Sequence, residues 1–156
     1  MDKSPEQRLG QLIYRSGERA TAIVKAGAIA LTGGELLRVG DNDGELTVAD
    51  SGDIVVAVLG DGQTIQPNTS AYAAVYYLGN VFKLRAAGQV QRGSWVKAGI
   101  GGSVVQAETT VSIPSGAVQV SSTSAQPSMV VEGFIGIGVA LDEAETAGDF
   151  IRVVMK

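Results

Sequence analysis

Glycine punctuates this chain from end to end. The 156 residues include 21 glycines, nearly twice the roughly 7% typical of proteins. Between them lie short runs of Val, Ile, Leu, Ala and Thr. Glycines spread among such runs argue for ordered turns and not for disorder. Short apolar runs bounded by tight turns suit many short strands. The fold class that follows is all-β: a compact β-sandwich or barrel of short strands over residues 21–156, preceded by a short N-terminal arm over residues 1–20. A chain of this length buries roughly 70% of the surface that its unfolded form exposes, so it needs no covalent staple.

The arm reads differently from the rest. Ser4-Pro5-Glu6-Gln7 has the form of a helix start: Ser4 can cap, Pro5 fits the first helical position and Gln7 can close a capping box. Leu9, Leu12 and Ile13 follow at helical spacing and share one face, with Tyr14 beside them. So short a helix is marginal alone in water, which leaves two uses open: a frayed terminus with a few apolar residues, or an arm that docks on a partner through Leu9, Leu12, Ile13 and Tyr14.

From Ala20 onward strand patterns dominate. Strands are expected at Ala22–Val24, Ala28–Leu31, Glu35–Val39 and Glu45–Ala49, with turns at Thr32-Gly33-Gly34 and Asp41-Asn42-Asp43-Gly44. Ile54–Leu59 is a continuous apolar run, short enough for a strand buried on both faces. Gln63–Ser70 is polar and holds Pro67, so it reads as a surface loop. Ala71–Leu78 and Val81–Ala86, separated by Gly79-Asn80, read as a hairpin; in the second, Phe82 and Leu84 face one way, Lys83 and Arg85 the other. Short strands follow at Ser94–Ala98, Ser103–Ala107, Thr109–Ile113 and Ala117–Ser121, then a loop over 121–128. Met129–Leu141 returns to strand, with Ile135, Ile137, Val139 and Leu141 on one face. Gly136, Gly138 and Ala140 lie on the other, where another backbone can approach. Phe150–Met155 ends the chain with Ile151, Val153 and Met155 on one face.

One unit recurs: a turn glycine, a polar residue, two apolar residues, a basic residue and an apolar residue. It stands at Gly34–Val39, Gly93–Ala98 and Gly148–Val153. Irregular spacing rules out a solenoid, and the copies read as one hairpin solution used three times.

Composition narrows the function. The chain has no Cys and no His, which removes disulfides, thiolate sites, the usual general base near neutral pH and the commonest metal ligand. The net charge is −4, and the Lys and Arg are scattered singly, whereas nucleic-acid binders carry a basic stripe. No apolar run reaches the ~18 residues of a membrane span. The start is polar and charged, unlike a signal peptide, so synthesis in a cytoplasm is expected.

Each cluster that could carry chemistry fails a geometric requirement. No stretch has the Walker spacing, and Gly99-Ile100-Gly101-Gly102 lacks the final glycine spacing and following helix of a dinucleotide fingerprint. Asp41-Asn42-Asp43-Gly44-Glu45 hints at calcium, but aligning Gly44 with the sixth position of an EF-hand loop puts Val39 at the first ligand position. A hairpin turn fits better, with a weak irregular cation site as the other reading. Asp142, Glu143 and Glu145 read as a solvated connection between strands. Ser94 and Lys97 have the Ser-x-x-Lys spacing of penicillin-binding enzymes, yet in a strand they point to opposite faces. Trp95 is most simply a core or hairpin-packing residue. Tyr72 and Tyr76 share a strand face while Tyr77 faces away; packing against the core or another subunit is favoured over sugar binding, since Tyr is common at interfaces.

The order of these motifs resembles the cement, or head decoration, proteins of tailed-phage capsids. The resemblance rests on Ala26–Val39, on Gly88–Ala98 with Gly101–Val105, and on Ile135–Leu141 followed by an acidic stretch and Ala147–Val153, together about a third of the chain. It implies a β-sandwich or barrel protein that binds the outer surface of an assembled head; with every candidate cluster failing, no enzymatic activity and no cofactor are expected. Its partner is the phage major capsid protein, and it acts as a homotrimer that bridges neighbouring capsid subunits. Nucleic acid and membrane are not expected as partners. The arm and the tyrosine-rich stretch over 63–86 depart from the simpler family pattern, so contact residues rest on this sequence alone: Leu9, Leu12, Ile13, Tyr14, Tyr72 and Tyr76. Other readings are a carbohydrate- or receptor-binding virion module and a head-completion or tail protein.

Overall fold

The computed structural model describes residues 17–107, 111–112, 130–131 and 136–156. Leu9, Leu12, Ile13 and Tyr14 lie outside the described residues, as do Ile135, the expected strand at Ala117–Ser121 and the loop over 121–128. Among the described residues the architecture is all-β, with one short 3₁₀ turn at Ile100–Gly102.

The first half is a closed barrel. Its strands are β1 (Arg19–Lys25), β2 (Leu36–Val39), β3 (Glu45–Val48), β4 (Ala57–Leu59) and β5 (Ser70–Tyr77), in the spatial order β1-β3-β2-β4-β5. β1 and β3 run parallel; the other pairs, including β1 with β5, are antiparallel. Five strands enclose little space, and alanines share the lining with larger side chains: Ala20, Ala22, Ala57 and Ala73 with Val24, Leu37, Leu46, Leu59 and Val75. Leu31 and Ile65 plug it from two loops that exchange backbone hydrogen bonds at 2.9 Å in both directions.

The second half is an antiparallel sheet in the order β6-β12-β11-β7-β8, formed by β6 (Val81–Arg85), β7 (Trp95–Ala98), β8 (Val104–Gln106), β11 (Gly138–Ala140) and β12 (Phe150–Met155). Two short strands, β9 (Val111–Ser112) and β10 (Val130–Val131), pair with each other. The inner face of the larger sheet presents Leu84, Val96, Ala98, Val104, Ile151 and Val153 to the outer wall of the barrel, where Leu36, Ala49, Val55 and Val58 meet them in one continuous core. Adjacent residues Leu36 and Leu37, both fully buried, therefore face different cores.

Several expectations change. Ala28–Leu31 is not a strand: Ile29 is 79% exposed, and only Leu31 bridges to Ile65. Of the run Ile54–Leu59, Ala57–Leu59 alone is a strand buried on both faces, while Ile54 is 72% exposed. The chain is still leaving the Asp50–Asp53 turn there, and its first backbone bond to β2 comes at Val56 N–H to the Leu37 carbonyl, 2.9 Å. The 71–86 hairpin does not form. Both edges of β5 are taken, by β1 and β4, so β6 crosses to the other sheet and pairs with β12. Trp95 lies on the outer face of the sheet, 38% exposed. In β11 the small residues face the core: Ala140 is buried in it, whereas Leu141 is 39% exposed. Ile137, just before the strand, is buried.

Other expectations hold. Val81–Arg85 alternates with Leu84 buried and Lys83 and Arg85 exposed, and Ile151, Val153 and Met155 all face the core. β2 and β3 form the antiparallel hairpin expected around Asn42–Gly44. The three-fold unit turns out to be a way of starting a strand. Gly34, Gly93 and Gly148 have φ of 86°, 82° and 98°, a conformation open to glycine at little cost. Each donates its N–H to a carbonyl of the adjoining element at 2.8 Å, namely Leu59, Ala140 and Ala86. Each copy opens a strand of an antiparallel hairpin: β2 pairs with the following β3, β7 with the following β8, and β12 with the preceding β11.

Gly138 shows the close backbone approach expected of its face. A Cβ there would collide with the Val154 carbonyl oxygen and stand 2.9 Å from Val153 Cγ1. By contrast, a Cβ on Gly88 meets nothing within 4 Å. Gly138→Ala is therefore expected to destabilise the protein by about 1–3 kcal/mol, which lowers Tm by roughly 2–4 °C per kcal/mol in a chain of this size. Gly88→Ala should stay within about 0.5 kcal/mol of the parent. Thermal melts followed by far-UV circular dichroism check both, and equal Tm values for the two variants would refute the packing argument.

Candidate interaction surface

The acidic stretch before β12 is a piece of folding chemistry. The Asp142 carboxylate accepts three hydrogen bonds from Arg152: the backbone N–H to Oδ2 at 2.9 Å, Nε to Oδ2 at 2.9 Å and Nη2 to Oδ1 at 2.7 Å. The paired side chain and the backbone N–H hold the Asp142 carboxyl well below the usual carboxylate range, and Arg152 is raised in turn. Asp149 Oδ2 accepts the backbone N–H groups of Glu145 (2.9 Å) and Thr146 (3.0 Å). These bonds, Thr146 first, also lower its pKa. Both shifts run opposite to the rise a carboxylic general acid needs at neutral pH.

The same device recurs at the first copy of the repeated unit, where the Glu35 carboxylate accepts N–H groups from Thr32 and Gly33, each at 2.8 Å. In these two copies the acid after the turn glycine thus ties down the turn that precedes it.

The other clusters are also absorbed by structure. Asn42 Nδ2 donates to Glu45 Oε2 at 3.1 Å, and the Glu45 N–H donates to the Asn42 carbonyl at 3.1 Å, closing the hairpin turn. Two backbone N–H groups of Gly99–Gly102 are directed at the barrel: Gly101 to Asp50 Oδ1 at 2.9 Å and Gly102 to the Ala49 carbonyl at 2.8 Å. This is a docking turn between the two halves. Lys97 lies opposite Val105 on the outer face, with Val96 buried beside it, so strand alternation keeps Ser94 and Lys97 apart. Among the described residues no group of three or more His, Cys, Asp or Glu is arranged to hold a metal.

What remains is surface. Two open grooves are lined with aromatic and aliphatic side chains. One, of about 430 Å³, runs between β6 and the barrel and is lined by Tyr76, Val81, Phe82 and Phe150 with Gly33 and Gly60 opposite. The other, of about 670 Å³, lies against the barrel and is lined by Ile23, Val39, Glu45, Val56, Tyr72 and Tyr77. Tyr72 and Tyr76, expected to act together, line different grooves. Tyr72 stands opposite Ile23 on β1 and is 78% exposed. Tyr76 stands opposite Val58 on β4 and packs on Phe82, ring centroids 6.1 Å apart, so it links the barrel to the sheet.

The exposed apolar residues Ile29, Ile54, Val81, Ile100 and Phe150 were not singled out from sequence. For Phe150 a signal existed: with Ile151, Val153 and Met155 inward, alternation turns Phe150 outward.

No protein-family model matches the chain, and no curated protein sequence does. Among solved structures the chain is similar to the N base of the head fiber protein gp8.5 of bacteriophage phi29. The likeness has a TM-score of 0.58 at 16% identity and covers 89% of this chain and 95% of that one. At this identity it shows a shared fold, spanning nearly the whole of both chains.

The Asp142–Arg152 pair gives a pH test. A carboxyl whose folded pKa is depressed adds stability that is present above its unfolded pKa and is lost as pH falls through the folded value. The Tm difference between the parent and Asp142→Asn should therefore be full from pH 5 to 7 and shrink as pH drops below the ordinary carboxylate range near 3.9. A difference that stays constant down to pH 2 would contradict the pairing.

Proposed function

We propose that this chain is a structural, non-enzymatic protein of a tailed-phage head, bound to the outer surface of the assembled capsid. One observation carries the reading: the fold likeness to a head-fiber base spans 89% of the chain. The motif resemblance to capsid decoration proteins points the same way. In this reading the protein associates as a homotrimer, contacts the major capsid protein and bridges neighbouring capsid subunits. Its surfaces suit the task. Interface area and a stable scaffold are what such a role needs, and several modest contacts engaged at once bind through avidity.

A second reading comes from the neighbour itself, which is the base of a fiber. Here the chain seats a projecting structure on the head, and stabilising the capsid shell is incidental.

Heads assembled with and without this protein separate the two. For the bridging role, heads lacking the protein are expected to release their DNA at lower temperature or on dilution, and purified protein added back should restore resistance. Native mass spectrometry of the free protein should give a trimer. Heads that bind the protein without any gain in resistance would remove the bridging role and leave the seating role. Heads that do not bind it would remove both.

A further inference from the structure

The outer face of the five-stranded sheet carries a pattern that neither the core nor the turns require. Cross-strand register sets Val81 opposite Val154, Val154 opposite Val139 and Val139 opposite Trp95, an apolar row across β6, β12, β11 and β7. Beside it Lys83 stands opposite Arg152, and Arg85 opposite Phe150. Val81 is 55% and Phe150 58% exposed.

Cations surround this row. Lys83 Nζ and the Arg85 guanidinium lie 5.6 and 5.7 Å from the Phe150 ring centroid, and Lys156 Nζ lies 5.3 Å from that of Trp95. Lys97 shares the face, opposite Val105. Asp142 also meets this face and is engaged by Arg152. A chain of net charge −4 thus gathers Lys83, Arg85, Lys97 and Lys156 around an apolar centre, beside the Asp142–Arg152 pair.

We propose that this face docks on an acidic protein surface with an apolar centre, presented by the phage head; the inference rests on the function proposed above. Charge complementarity selects the partner's sign, and the apolar row selects its class. A polyanion such as a sulfated glycan would meet the cations but leave the row from Val81 to Trp95 against water. A protein surface can cover both, and an apolar centre within a charged rim, with Trp and Arg present, is the usual anatomy of a protein interface.

Size sets the strength. Four strands about 4.8 Å apart and about five residues long at ~3.4 Å each give a footprint on the order of 250 Å². A stable interface uses about 800 Å² per partner. One face therefore holds weakly and depends on salt, and firm attachment comes from several copies engaged together.

The test uses heads assembled without this protein, incubated with the full chain. Binding of the parent should weaken at least about tenfold between 50 and 500 mM NaCl, as exposed charges are screened. Lys83→Glu with Arg85→Glu should weaken binding at least about tenfold at 50 mM NaCl. Arg19→Glu with Lys25→Glu, the same charge change on β1 of the barrel, should bind within about twofold of the parent. Thermal melts verify that both variants fold.

Parent-like binding by the Lys83/Arg85 variant, or equal loss in both variants, would overturn the proposal while leaving the head-protein reading intact. So would loss of the trimer in the Lys83/Arg85 variant, which would assign the face to a second copy of the chain. A parent that fails to bind heads removes the head-protein reading itself, and this face's role with it.

Discussion

Burial on both faces of β2 and β4 is the constraint on which the rest of the structure depends. A five-stranded barrel encloses too little volume to hold many large side chains, and its lining is correspondingly rich in alanine. The larger core lies outside it, where Leu36 and Val58 on the barrel wall meet Leu84, Val96, Ile151 and Val153 of the second sheet. Each fully buried aliphatic side chain is worth roughly 1.5–3 kcal/mol, so this shared layer makes the two halves one cooperative body. The requirement is written into β2 and β4 as the consecutive apolar pairs Leu36-Leu37 and Val58-Leu59. An alternating strand could satisfy only one of the two cores.

Around that core the turns are held by a small set of polar contacts. Glu35 and Asp149 each gather two backbone N–H groups from the turn before them, and Asp50 reaches the Gly99–Gly102 turn across the junction of the halves. Charge-assisted bonds of this kind are stronger than neutral ones. Of the carboxylates singled out in the sequence as candidate chemistry, Asp142 is engaged by Arg152 and Glu45 by Asn42. That leaves the surface, with its exposed aromatic and aliphatic residues, as the part of the molecule free to act on something else.

A scaffold of this sort suits a protein whose work is to hold and present surfaces. The likeness to the head-fiber base extends across both halves, so it concerns the pairing of barrel and sheet and not a single common motif. The groove beside Phe82 shares Val81, Lys83 and Phe150 with the basic, apolar outer face of the sheet, whereas the groove beside Tyr72 is a separate surface against the barrel. A protein that bridges or seats other subunits needs more than one such surface.

What could be read from sequence was local. The alternation of Val81–Arg85, the inward set Ile151, Val153 and Met155, the Asn42–Gly44 hairpin and the strand-starting glycines all follow from side-chain period and turn chemistry, which a few neighbouring residues determine. The polar surface of the loop over 63–70 followed similarly, although Ile65 within it plugs the barrel. Of the candidate contact residues, Tyr72 and Tyr76 were rightly placed on one strand, but their separation into two grooves depends on Phe82 arriving from the other sheet. The fate of β6 was decided only in three dimensions: next to β5 in sequence, it pairs with β12, because β1 and β4 already occupy both edges of β5. So was the direction of β11. Alternation defines two faces without saying which meets the core, and the approach of the Val154 backbone to Gly138 settles that the small residues turn inward. Where strands and turns can form is legible in the residues themselves, since those preferences are local. Which strands share an edge, and which face is left to solvent, the tertiary structure decided, because each strand has only two edges and the partners that fill them come from distant parts of the chain.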